Sequence, residues 1–460
     1  MTRSQTTTAP AGMLLLFIAM AAALTGVSVP ASAAFFQLSE NNVSALGNAN
    51  AGATAAAEDA STVWYNPAGM TRLSGQQVSV AGHFIQPSTE FNKTSANLSP
   101  LLGGGSISGG NGGDAGESAF VPNLYYAQQL SDRLFLGVGI NAPFGLATDY
   151  DDDWVGRYHA NRSEIVTINI NPAIAFKIDD RFSIGGGINY QKLDAELTQA
   201  VDYGSICALA AVGACAAPGA NDGSARIEAD DDAWGFNLGA LWQLGDTRVG
   251  AHYRSKMEYE LEGSFDATAP SATAGAVGAS APFSIVDSGV RADVTLPATF
   301  SVSLNQKLTP AWTLVADVTR TFWGDLKELR IDFDSNQSDS VVTLNLDDVN
   351  RYSVGASFTP GGSWTYRFGV ALDETPTPNA TDRTPRLPDE DRLWLALGAG
   401  YKRSDALSFD FAYVYVKIDD AEINKQAGTN PAGENFLRGS LVGTYEANVH
   451  ILSAQANWKF

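Results

Sequence analysis

The sequence predicts an all-β fold, a transmembrane antiparallel β-barrel of about 14 strands with a small, mostly helical N-terminal hatch in the lumen. Three observations predict it. Side-chain character alternates at every second residue over runs of about 10 to 16 residues, longer than an ordinary strand of five or six. Connections alternate between tight turns and long loops, as they do when one rim faces inward and the other outward. The chain closes on an alternating strand ending in the aromatic Phe460, expected to be read by barrel-assembly machinery.

Composition narrows the class. Hydrophobic residues are 45% of 460, too many for a disordered chain, and two cysteines are too few for a disulfide scaffold. A net charge of −21 argues against nucleic acid as a partner, because phosphate binding needs clustered cations. Arg3 is the sole charge before Glu40; an apolar run follows at 13–24, then Val29-Pro30-Ala31-Ser32-Ala33. Charged start, short apolar core and small-residue site make 1–33 a secretory signal peptide with cleavage after Ala33. No other stretch reaches 18 apolar residues, so no membrane helix is expected. An exported chain keeps thiols oxidised, and Cys207 and Cys215 share one loop, so a local bridge is expected.

Residues 34–75 do not alternate. They read Phe35-Phe36-Gln37-Leu38, an Ala/Gly-rich stretch at 45–57, Glu58-Asp59-Ala60, and Trp64-Tyr65-Asn66-Pro67-Ala68-Gly69-Met70. Alanine favours short helices and Asn-Pro breaks them. A barrel of this girth leaks unless filled, so the segment is expected to plug the lumen; a periplasmic tail is the other reading. Residues 76–460 then form the barrel. Alternating strands are plainest at the end, where Leu452, Ala454, Ala456, Trp458 and Phe460 interleave with Ser453, Gln455, Asn457 and Lys459. Tight turns read Ser131-Asp132-Arg133, Ile178-Asp179-Asp180-Arg181, Gly245-Asp246, Thr309-Pro310-Ala311, Pro360-Gly361-Gly362-Ser363 and Arg403-Ser404-Asp405. Long loops are expected at 87–118, 143–162, 198–228, 263–289, 323–349, 374–390 and 420–443. Apolar faces meet lipid and polar faces the lumen, with Trp312, Trp364, Trp394, Tyr401 and Trp458 in the interfacial belts.

The chain resembles the FadL/TodX family of outer-membrane transporters of hydrophobic substrates. The resemblance rests on the order of several marks: Gly47-Asn48-Ala49-Asn50-Ala51-Gly52, Glu58-Asp59-Ala60, Tyr65-Asn66-Pro67-Ala68-Gly69, Phe144-Gly145-Leu146 and Trp154-Val155-Gly156-Arg157-Tyr158. Leu296-Pro297-Ala298, Asp373-Glu374-Thr375-Pro376, the run from Arg383 to Asp389, and Asp391-Arg392 complete the set. It implies a hatch bearing the motif Asn66, Pro67, Ala68. It implies uptake of long-chain fatty acids or related hydrophobic compounds in the bacterial outer membrane, with sideways exit at a kink in strand three. Alternatives are an aqueous porin and a barrel lipid hydrolase. Of His83, His159, His252 and His450, none stands in a nucleophile motif, so no enzyme is expected.

The residues suggest where such a task would be done. Phe91, Leu98, Leu101, Leu102 and Ile107 are candidates for an apolar outer-loop groove, or for a self-packed loop. Arg157, between Trp154 and Tyr158, and Arg330 are candidates for a carboxylate head group, or for salt bridges to loop acids. Pro143 donates no ladder hydrogen bond and Gly145 permits a bulge, so a lateral gap is expected there, with an ordinary strand end as the other reading. Acidic runs such as Asp151-Asp152-Asp153 read as solvated charge without EF-hand spacing, and no metal or cofactor is expected. Expected partners are hydrophobic small molecules and the lipid and lipopolysaccharide of the outer membrane.

Overall fold

The computed structural model describes residues 35–270 and 285–460; the expected signal peptide, 1–33, lies outside the described residues. Twenty strand segments form one antiparallel ring of 14 staves, six of them broken in two. In order, β1 (Gln76–Asn97) and β2 (Ala119–Gln129) are the first two. β3 (Leu134–Asn141) with β4 (Gly145–Asp149) forms the third. β5 (Arg162–Lys177), β6 (Phe182–Asp202) and β7 (Asp222–Leu244) follow. The seventh and eighth are β8 (Thr247–Arg254) with β9 (Met257–Thr268), and β10 (Ser288–Leu296) with β11 (Thr299–Lys307). The ninth and tenth are β12 (Trp312–Thr321) with β13 (Glu328–Phe333), and β14 (Ser340–Thr343) with β15 (Val349–Phe358). β16 (Trp364–Asp373), β17 (Arg392–Lys402), β18 (Leu407–Ile418) with β19 (Ala421–Lys425), and β20 (Ser440–Lys459) complete the set. β20 pairs with β1 from Lys459 against Gln77 to Ser440 against Asn97, which closes the ring.

Alternation sorts the two faces. Phe84, Ile168, Ile188, Leu238, Leu397 and Leu452 are exposed on the outside, while Asn169, Asn171, Asn237, Asp317 and Gln455 are buried within. Lipid offers backbone groups no partners, so only such a closed ladder can span it. Trp242, Trp312, Trp364 and Trp458 are exposed near the short-turn rim. Trp394, expected beside them, instead faces the lumen at 3% exposure under the Arg351 guanidinium, because its neighbours Leu393 and Leu395 hold the outward parity.

All six tight turns lie at one rim. The long loops are shorter than expected, because strands continue into them. β1 runs 22 residues and β7 runs 23, where a membrane strand needs about 9–11. The stretch 323–349 contains β13 and β14, and 198–228 contains the ends of β6 and β7. The outer wall therefore rises well above the bilayer.

Residues 35–73 fold as short helices Val43–Leu46, Ala53–Ala56 and Thr62–Tyr65, then a 3-10 turn Pro67–Arg72. They touch staves all round the ring: the first helix meets β17, β18 and β20, the second β8 and β11, and the rest β2, β3, β5, β6 and β7. Wall glycines permit that approach. A Cβ on Gly239 would stand 2.0 Å from Asn66 Oδ1, and one on Gly369 2.0 Å from the Asn48 carbonyl carbon. Asn66 donates to the Thr54 and Ala240 carbonyls (2.8 and 2.9 Å) and accepts from the Ala68 amide, so it caps the turn that Pro67 begins. Arg367 on β16 pairs with Glu58 (2.9 Å) and Asp410 (2.7 Å), joining the segment to the wall.

Candidate functional site at a break in the wall

The third stave is discontinuous. β3 pairs with β2 only from Ile140 against Leu124 to Phe135 against Gln129, and β4 forms a ladder with β5 alone. Among the described residues, 119–123 of β2 therefore have no ladder partner on that side. Between β3 and β4 lie Ala142, Pro143 and Phe144. Pro143 has no N–H to give, and the Phe144 amide and carbonyl turn to the Thr167 hydroxyl (3.0 and 2.7 Å). The N-terminal segment fills the breach. Leu38 donates to the Pro143 carbonyl (2.8 Å), Gly145 donates to the Phe36 carbonyl (3.0 Å), and Gln37 stands opposite Phe144.

Behind the breach sits an aromatic nest. Phe35, Phe36 and Phe144 each lie against Trp323, and Phe36 against both other phenylalanines, with these ring centroids 5.2–6.1 Å apart. They belong to one buried apolar cluster running up the inside of β6, β7, β9, β10 and β13, through Leu193, Tyr259, Leu261, Phe265 and Ile331. Tyr203 and Ile206, from the helix Tyr203–Leu209, cover its top, and Cys207 and Cys215 are joined in that loop. Beside the nest is a cavity of about 110 Å³ lined by Leu38, Trp64, Phe144, Arg254, Arg351 and Asp373 among others. Its cations were not singled out by sequence. Arg254 lies over the Trp64 ring at 3.4 Å and donates to the Trp64 carbonyl (2.8 Å). Arg351 donates to the Ala49 carbonyl (3.1 Å) and lies 3.4 Å from Asp373, while its buried Nε and Nη2 have no hydrogen-bond partner. Spacing along a strand carries no sign of this pair, since the two arginines stand on staves seven and ten.

The sequence candidates are dispersed. Arg157 is buried: its Nε pairs with Asp222 (2.7 Å), and Nη1 donates to the Ser108 and Trp154 carbonyls. Tyr158 donates to the same Asp222 (2.6 Å); burial, then that contact, pushes its phenol well up. Trp154 is fully buried, stacked on Tyr150 at 4.0 Å and edge-on to Phe91, which packs on Tyr445. This group therefore welds loops together, with its cationic donors satisfied by protein. Arg330 is exposed and pairs with Glu328 and Asp339 (2.8 and 2.9 Å). Leu101 is 57% exposed and Leu102 half-buried in the first long loop, whereas Leu98 and Ile107 pack inside it. Pro143 and Gly145 stand at the breach itself.

Comparison with known proteins places this architecture. The profile of the family "Outer membrane protein transport protein (OMPP1/FadL/TodX)" matches residues 24–460. The chain belongs to the FadL/TodX family. Within it, Outer membrane protein P1 of Haemophilus influenzae is 30% identical over 457 residues, covering 94% of this chain and 96% of that one. The Long-chain fatty acid transport protein of Escherichia coli K12 is 27% identical, covering 88% and 93%. Among solved structures, a Pseudomonas aeruginosa FadL homologue superposes with a TM-score of 0.82 at 24% identity, covering 93% of this chain and all of the other. The Pseudomonas putida toluene transporter TodX superposes at 0.63 and 17%, covering 87% and 94%. This FadL/TodX member is thus an outer-membrane transport protein with a closed 14-strand barrel, and not an enzyme.

Proposed function

We propose that the protein takes up long-chain fatty acids or similar hydrophobic compounds, and releases them sideways into the membrane through the breach beside Pro143 and Gly145. The observation that carries this reading is the breach itself: an unpaired stretch of wall, lined inside by Phe35, Phe36, Phe144 and Trp323 and filled by residues 36–38. Relatives named for fatty-acid and toluene transport support the substrate class. Each methylene moved from water to an apolar wall gains about 0.8 kcal/mol, so a continuous apolar surface draws a lipophile inward without a pump. Leu101 and Leu102 are the outer capture surface. Arg351 and Arg254 are better head-group candidates than Arg157 or Arg330, since they line the cavity and the buried Nη2 of Arg351 has no hydrogen-bond partner. Residues 34–75 act as the hatch and 76–460 as the barrel, after removal of 1–33 as signal peptide. The barrel-assembly machinery would engage the Phe460 strand, and lipopolysaccharide would surround the outer wall.

The test is a lock across the breach. Gln37→Cys with Phe144→Cys joins two residues that already face each other. Oxidation should stop uptake of labelled oleate into whole cells and reductant should restore it, with wild type treated alike because it carries its own disulfide. Uptake undiminished in the oxidised double variant would reject lateral exit.

A further inference from the structure

The connection 374–391, between β16 and β17, does not stay on its own side of the barrel. Its tip is bonded to staves three, four and five, diametrically opposite its roots on staves 11 and 12. Thr148 on β4 donates to the Arg386 carbonyl (3.4 Å), and Tyr150 donates to the Pro385 carbonyl (2.7 Å). The buried Arg386 side chain reaches into that wall. Its Nη1 donates to Ser163 Oγ (3.0 Å) and to the Arg162 and Thr198 carbonyls (both 3.3 Å), and Nη2 to Gln199 Oε1 (2.9 Å). All four acceptors are neutral. Glu117, Asp149 and Glu164, the acids at this wall, pair with Arg162 instead. Nearer its roots the crossing segment is held by Arg383, bonded to Glu390 and the Glu422 carbonyl, and by the Asp347 amide on the Pro376 carbonyl (2.9 Å).

The crossing segment lies between two buried apolar clusters of the outer bore. On one side Phe91, Tyr150, Trp154, Tyr158 and Tyr445 pack into a solid core with the ends of β1, β19 and β20. On the other, Leu387 packs against the buried cluster that includes Phe144 at the breach. A planar fork of donors is suited to holding several carbonyls at once, which a lysine ammonium does with less geometric definition.

We infer that residues 374–391 form a transverse strap, pinned across the bore by Arg386, that closes one half of the outer lumen and so sets the width of the passage left to solute. Arg386 is on this view a specificity-determining positioning residue that never touches the solute's head group. The inference rests on the proposed uptake function for its readout. Arg386→Ala frees the tip, the passage widens, and bulky branched lipophiles gain several-fold in uptake relative to a straight-chain fatty acid; Arg386→Lys falls between. Ser163→Ala with Gln199→Ala, which removes two wall acceptors and leaves the arginine, shifts the ratio in the same direction. Thr148→Cys with Arg386→Cys restores a pin when oxidised and should return the wild-type ratio, reverting on reduction; folded barrel is scored by heat-modifiable gel mobility. If folded Arg386→Ala and the wall double variant both keep the wild-type ratio, the strap does not set selectivity. If wild type takes up no lipophile of either shape, the uptake reading itself fails instead.

Discussion

Arg157 illustrates how a residue that looks like a ligand site can be an anchor. Its guanidinium ties the loop 150–161 to Asp222 at the start of β7, and Tyr158 shares that carboxylate. Removing it strands a partly buried acid, an effect of about 1–3 kcal/mol. Arg157→Ala is therefore expected to loosen the outer loops, read as faster limited proteolysis, and to weaken fatty-acid and neutral hydrocarbon binding alike; selective loss of fatty-acid binding would restore Arg157 as a head-group residue. His159, two residues on, is also structural. Burial first, then the nearby Arg438 and Lys425 charges, lowers its pKa from 6.5 to about 3. Because the Gly439 carbonyl can only accept, the neutral ring carries its proton on Nε2. The folded state resists a proton that the unfolded chain takes up below about 6.5, so this residue's contribution is whole above that pH. It is lost progressively as pH falls from about 6.5 to about 3. Denaturation midpoints measured across that window should fall less steeply in His159→Gln than in wild type.

At the scale of elements, the strands were legible and their ends were not. Period-two alternation marks a strand wherever its two faces meet different media, as at Leu452 to Trp458, with lipid outside and polar lumen inside. It is fainter above the bilayer, where the outward face of β7 from Asp222 to Asp232 meets water and the inward face carries mostly small side chains, Ala225 and Ala229 beside Ile227, so those stretches read as loops. Trp394 shows the converse: an aromatic beside a run of leucines reads as lipid-facing until parity is counted along β17. The helical turns at 53–56 and 62–72 could be expected from alanine content and Asn-Pro, but their seats could not. Those seats are bare glycines on distant strands, with Gly239 and Gly185 facing each other under Asn66 and Pro67. Gly239→Val should therefore displace residues 53–72 while leaving the barrel ladder intact. The expected signature is a folded, heat-modifiable barrel with raised ion conductance in planar bilayers; wild-type conductance would mean that the turn tolerates the intrusion.

For the whole molecule, sequence revealed the class because that is set by repetition summed over hundreds of residues. The breach is different in kind. Pro143 and Gly145 mark where a ladder can fail, but the occupant of the failure, Phe36 to Leu38, lies about a hundred residues earlier and no periodicity links the two. The same holds for Arg254 and Arg351, which meet at one cavity only because the ring closes.

That closure has a consequence for biogenesis. The longest seam but one in the molecule joins its first stave to its last, Gln77 against Lys459 through Asn97 against Ser440. Until translation has delivered the final residues, a nascent sheet of thirteen staves has two raw margins with unmet amides, the state in which β-chains most readily stick to one another. An incomplete sheet is thus sticky by construction, and a truncation of even the terminal strand leaves an open gutter rather than a smaller tube.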